Sequence, residues 1–113
     1  MLDFQALASA RQEVGVRDEE RQRRSAELYQ KALLILADFQ RKQGIQKSLL
    51  KQAANLLHES LLLNNQNPYA YLCMSYIFFV LNDLPRTRRY LNAARKLSPH
   101  LPEAGLLQKC LAS

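Results

Sequence analysis

The sequence predicts an all-α protein, and three observations carry that reading. Leu, Ala, Gln, Arg and Lys dominate, while Gly, Pro and β-branched residues are scarce; the dominant types lose little rotamer freedom in a helix. Apolar residues recur at helical spacing in stretches separated by Gly, Asn and Pro. The later stretches also repeat one another at a fixed interval. With 48% hydrophobic residues in 113, the chain can bury the core of one domain.

The elements follow in order. Residues 1–17 read as a short helix or tail, with Asp3 as N-cap, an apolar stripe of Phe4, Leu7 and Ala8, and an interruption at Gly15. A long helix is predicted over 18–42. It opens on Asp18-Glu19-Glu20, carries Leu28, Ala32, Ile35, Leu36 and Phe39 at helical spacing, and closes on Arg41-Lys42 before a capping Gly44. Acids at the start and bases at the end suit the helix dipole. A second helix runs over 45–63, with Leu49, Leu50, Ala53, Leu56, Leu57, Ser60 and Leu61. Asn64-Asn65-Gln66-Asn67-Pro68 breaks it, and Pro68 opens a third helix to Leu81. A fourth covers 84–97 and ends at Ser98-Pro99, and a last short helix starts at Pro102. Connections this short make antiparallel pairs.

Composition narrows the function. No stretch approaches the roughly 18 uninterrupted apolar residues of a membrane span. The N-terminus lacks the basic-then-apolar pattern of a secretory signal. Cys73 and Cys110 are too few and too far apart to form a metal site, and they suit a reducing compartment, so the expected location is cytoplasmic. Charge is uneven: residues 1–38 hold six basic and seven acidic side chains, residues 39–113 ten and three. The basic part favours an acidic partner surface, although such a face also serves simply to hold water.

A shift of 34 residues superposes Leu50 on Leu84, Ala53 on Thr87, Leu57 on Leu91, Ser60 on Ala94 and Leu63 on Leu97. Small residues recur where helices must approach closely, and larger ones recur one turn away. A helix–turn–helix at this period resembles the tetratricopeptide repeat (TPR) family. The match is best over 68–101. The first helix there reads Tyr71, Met74, Ser75 and Phe78, and the second reads Thr87, Leu91, Ala94 and Pro99. The preceding unit, 18–67, diverges: its first helix lacks the small residue and the tyrosine, where Arg41 and Gly44 fall. The resemblance implies a right-handed superhelix of about two repeats within residues 18–113, with the long helix and residues 102–113 as caps.

Repeats of this kind hold other proteins. By resemblance, the groove-facing positions of the third helix are Tyr69, Leu72, Tyr76 and Phe79, a different face from the packing set. This helix is apolar nearly all round, so neighbouring helices, a second subunit in a homodimer or a bound ligand must cover the surplus. TPR modules that grip a carboxyl terminus place Lys, Asn and Arg in the groove. Leu72 and Tyr76 stand at two of those positions, so the resemblance implies a hydrophobic partner segment, as for adaptors, secretion chaperones and assembly factors.

Catalysis is not expected. His58 and His100 stand alone, and the sequence has neither a nucleophile–base arrangement nor a glycine-rich phosphate loop. No metal or other cofactor is called for. The alternative function is nucleic-acid binding through Arg86, Arg88, Arg89, Arg95 and Lys96, five cations on one helix with no acid between them.

Overall fold

The structure is a computed structural model. It describes the backbone of residues 4–102, 104, 105, 107 and 109, and the side chains of that set from residue 19 onward. Four helices make up the main elements: α1 (Phe4–Arg41), α2 (Lys47–Leu63), α3 (Pro68–Val80) and α4 (Leu84–Leu97). No strand occurs among the described residues. Helix α1 packs on α2, α3 on α4, and α2 joins the two pairs by packing on α3.

The expected interruption at Gly15 is absent, and α1 runs unbroken through it. Glycine inside a helix costs about 1 kcal/mol relative to Ala, but it tends to end one where it turns left-handed itself, often with a proline soon after, and Gly15 does not take a positive φ. The predicted short helix at 1–17 and the long one at 18–42 are therefore one element, apart from Met1–Asp3, which lie outside the described residues along with the Asp3 cap. At 38 residues α1 is about 57 Å long, and it sets the 62 Å long axis of the molecule. The radius of gyration, 17.5 Å, exceeds the roughly 13 Å of a compact chain of this length. The shape is elongated.

Both helix pairs close on the same turn. Gly44 N–H donates to Phe39 O at 2.9 Å, Gln43 N–H donates to Gln40 O at 3.0 Å, and Gln43 is left-handed with φ 59°. Asp83 N–H donates to Phe78 O at 2.8 Å, Asn82 N–H donates to Phe79 O at 3.0 Å, and Asn82 has φ 62°. Each is a Schellman closure, which satisfies the last carbonyls of the helix. Gly44 also has positive φ (71°), with the Phe39 ring against it. Asn67 caps α3 by accepting from Tyr69 N–H and Ala70 N–H, and Asp83 caps α4 by accepting from Arg86 N–H.

Of the five residue pairs related by the 34-residue interval, three are buried at both members, and Leu63 with Leu97 is half-buried at both. Ala53 and Thr87, Leu57 and Leu91, and Ser60 and Ala94 are all buried; Leu50 is buried, but its counterpart Leu84 is 37% exposed. The main core joins Ala32, Leu36 and Phe39 of α1 to Leu50, Ala53 and Leu57 of α2 and to Ala70, Met74 and Ile77 of α3. A smaller cluster joins Leu91 and Ala94 to Leu101 and Ala104, so the chain beyond Pro99 folds back on the second pair. Pro102, Ala104, Gly105, Leu107 and Lys109 are helical, as expected of a last short helix; the rest of its predicted span lies outside the described residues.

Buried polar groups are paired throughout the described residues. Ser75 Oγ donates to Thr87 O at 2.8 Å and pins α3 to α4, while Thr87 Oγ1 donates to Asp83 O at 2.7 Å. Between α1 and α2 the lock is reciprocal. Ser25 Oγ donates to Ser60 O at 2.7 Å and Ser60 Oγ donates to Ser25 O at 2.8 Å, with the hydroxyls 2.9 Å apart. Neither Ser25 nor this register was readable from the apolar stripe of α1.

Candidate partner-binding face

Helix α3 divides its surplus of apolar side chains among three directions. Toward α4 lie the buried Ser75, bonded to the Thr87 carbonyl, and an aromatic stack. Phe78 lies parallel to Tyr90 with ring centroids 5.5 Å apart, and Tyr71 tilts against the same ring at 6.4 Å. The guanidinium of Arg86 covers the Phe78 ring at 5.3 Å. Three of the predicted packing set, Tyr71, Ser75 and Phe78, therefore face α4, while the fourth, Met74, joins the main core with residues of α1 and α2.

The four groove-facing positions have different surroundings. Tyr69 is exposed (48%). Leu72 is half-buried against the smaller cluster of Leu91, Ala94, Leu101 and Ala104. Tyr76 is half-buried against the main core, beside Cys73. Phe79 is half-buried and belongs to neither cluster.

One contributor comes from a helix that the repeat comparison left out. Tyr29 of α1 lies near enough to Cys73 and Tyr69 of α3 to couple to both electrostatically. Burial chiefly, then these two neighbours, pushes its hydroxyl up to about 12. Sequence signal for it existed, since Tyr29, Ala32 and Leu36 share the i, i+3, i+7 spacing of one helical face. Burial likewise pushes the Cys73 thiol up to about 11. Such a thiol stays protonated at neutral pH and is a poor nucleophile. We expect Cys73 in a Cys110→Ser background to react with iodoacetamide much more slowly in the folded protein than after denaturation, as timed by mass spectrometry. Equal rates would mean that the thiol is not covered as described.

The basic residues sit elsewhere. Arg86, Arg88, Arg89, Arg95 and Lys96 are all exposed on α4, whose buried face is Thr87, Leu91 and Ala94. Arg86 is occupied by Phe78 and by Asp83, 3.6 Å away. A further concavity, an open groove of about 340 Å³ between α1 and α2, is lined by Arg24, Leu28, Glu59, Leu62 and Leu63. No group of His, Cys, Asp and Glu suited to a metal ion occurs among the described residues, and no described helix is long and apolar enough to cross a membrane. Compared with protein-family models, curated proteins and solved structures, the chain matches none.

Proposed function

We propose that the chain is a tetratricopeptide-like scaffold, an adaptor or chaperone of the cytoplasm, that holds an apolar segment of a partner polypeptide against α3 and α1. The observation that carries the reading is that Tyr29 of α1 and Cys73 and Tyr76 of α3 all pack half-buried against one core, with the exposed Tyr69 one turn before Cys73 on α3. In a tetratricopeptide stack the first helices of successive repeats line the concave groove, and α1 and α3 hold that place in the two pairs. Tyrosine suits the task, since it offers a large flat area, little rotamer freedom to lose and a hydroxyl that can remain hydrated at the rim. Leu72 and Tyr76 occupy positions where a carboxylate clamp needs polar groups, which favours an apolar segment over a free carboxyl terminus.

A photo-crosslinking residue in place of Tyr69 should capture the partner, while the same residue at exposed Gln52 on α2 should not. Tyr69→Ala is expected to weaken that complex by about 1–2 kcal/mol and to shift the unfolding free energy by less than about 1 kcal/mol. Tyr76→Ala behaves differently because its ring packs on the main core, and about 1–2 kcal/mol of stability should go with it. Titration calorimetry and thermal melts separate the two effects. A Tyr69→Ala protein that melts early yet binds normally would make this face core, not groove.

A further inference from the structure

We propose that the outer face of α4 is a second docking surface, and that it takes an acidic polypeptide segment of a partner protein. At 100° per residue, Arg88, Arg89, Asn92, Arg95 and Lys96 fall on one side of this helix, opposite Thr87, Leu91 and Ala94. All five are exposed. The helix contains no acid, and the Asp83 carboxylate at its start is engaged by Arg86 N–H and by the Arg86 guanidinium. The ion pairs among the described residues join Asp38 to Arg41 and Lys42, and Asp83 to Arg86, so none involves Arg88, Arg89 or Lys96. These three carry the proposal.

Their platform is well packed. Thr87, Leu91 and Ala94 are almost wholly buried, and Ser75 fastens the Thr87 carbonyl, so the outer side chains project from a packed and anchored helix. Arg89 and Lys96 are two turns apart, about 10 Å, which matches carboxylates at i and i+7 on a facing helix. Arginine can meet each carboxylate with two parallel hydrogen bonds.

The same geometry disfavours a nucleic acid. A stripe of about 10 Å spans only some three phosphates of one strand. The face also has no ring on which a base could stack, because Tyr90, the one aromatic residue of α4, lies against Phe78. Charge complementarity thus points to a short acidic protein segment. This surface is separate from the tyrosine-bearing face, so Tyr69→Ala leaves it intact.

The test is fluorescence anisotropy at 0.15 M salt on the full chain. The probe is a labelled helical peptide of roughly 15 residues with Glu at i, i+3, i+4 and i+7. Controls are its Gln counterpart and a single-stranded oligonucleotide of equal charge. We expect saturable binding of the Glu peptide only. Arg88→Glu with Arg89→Glu should weaken it about tenfold or more, as loss of charge-assisted hydrogen bonds implies. Lys47→Glu with Lys51→Glu, exposed on α2, alters net charge equally and should change affinity by less than about twofold. Circular dichroism should find every variant folded. Equal weakening by the α2 pair, tighter binding of the oligonucleotide, or no saturation at all would each overturn the proposal.

Discussion

Leu57→Ala is expected to remove about 2–5 kcal/mol of stability, the largest loss from any single truncation considered. Leu57 is fully buried in the middle of α2, on the face that carries Leu50, Ala53 and Ser60. That face belongs to a core fed by three helices, so the vacated volume is bounded on all sides and collapses poorly. Leu62, five residues along the same helix, is 67% exposed. Its replacement by Ala should cost no more than about 0.5 kcal/mol. Urea melts of the two variants, read by far-ultraviolet circular dichroism, check both figures together. A Leu57→Ala loss below about 1 kcal/mol, or parity with Leu62→Ala, would contradict the described packing.

Ala94→Phe tests the second pair by the opposite means. Ala94 is fully buried and clusters with Leu91, Leu101 and Ala104, so a ring there must displace the returning segment beyond Pro99 or separate it from α4. Overpacking of this kind costs about 1–3 kcal/mol and occasionally more. The effect should also be local. The Gly105 N–H that donates to Leu101 O should exchange with solvent faster, while amides around Leu57 hold their protection. An unchanged melting midpoint would mean that residue 94 does not face that cluster, and the 34-residue register would lose its structural sense.

The sequence carried α2, α3 and α4 to within two residues at every end, because Asn67-Pro68, Asp83 with Pro85, and Ser98-Pro99 are strong local boundary signals. It also carried the buried faces of α2 and α4. The leading helices were harder to read, and the matched turns explain why. Phe39 and Phe78 hold the same place in their closures and lie 39 residues apart, whereas α2 and α4 match at 34. The first turn is longer and α2 begins earlier, so a constant shift lands on Arg41 and Gly44 instead of on α1's own packing residues. With the closures aligned, Ala32 matches Tyr71 and Leu36 matches Ser75: small and large have changed places. No fixed period reveals such an exchange, because what is held constant is filled volume, not residue type. Gly15 misled for another reason, since only context separates a helix-ending glycine from a tolerated one.

Of the candidate site, the basic stripe was legible because exposure follows from helical phase, whereas Tyr69 was singled out only by the repeat resemblance, α3 being apolar nearly all round. Tyr29 could be placed on the core-facing stripe of α1 with Ala32 and Leu36, but which residues of α3 share that core with it depends on how two pairs dock, and nothing local encodes that.

The reciprocal serines have a consequence for sliding. Roughly 20 residues of α1 extend past the end of α2, and an apolar seam between two helices is tolerant of axial shifts by a whole turn of about 5.4 Å. Such a shift would part Ser25 from Ser60 and leave two hydroxyls without partners in a dry interface, at about 1–3 kcal/mol each. The pair thus acts as a detent: it selects one stop along a long rail, and so fixes how far α1 projects beyond the rest of the protein.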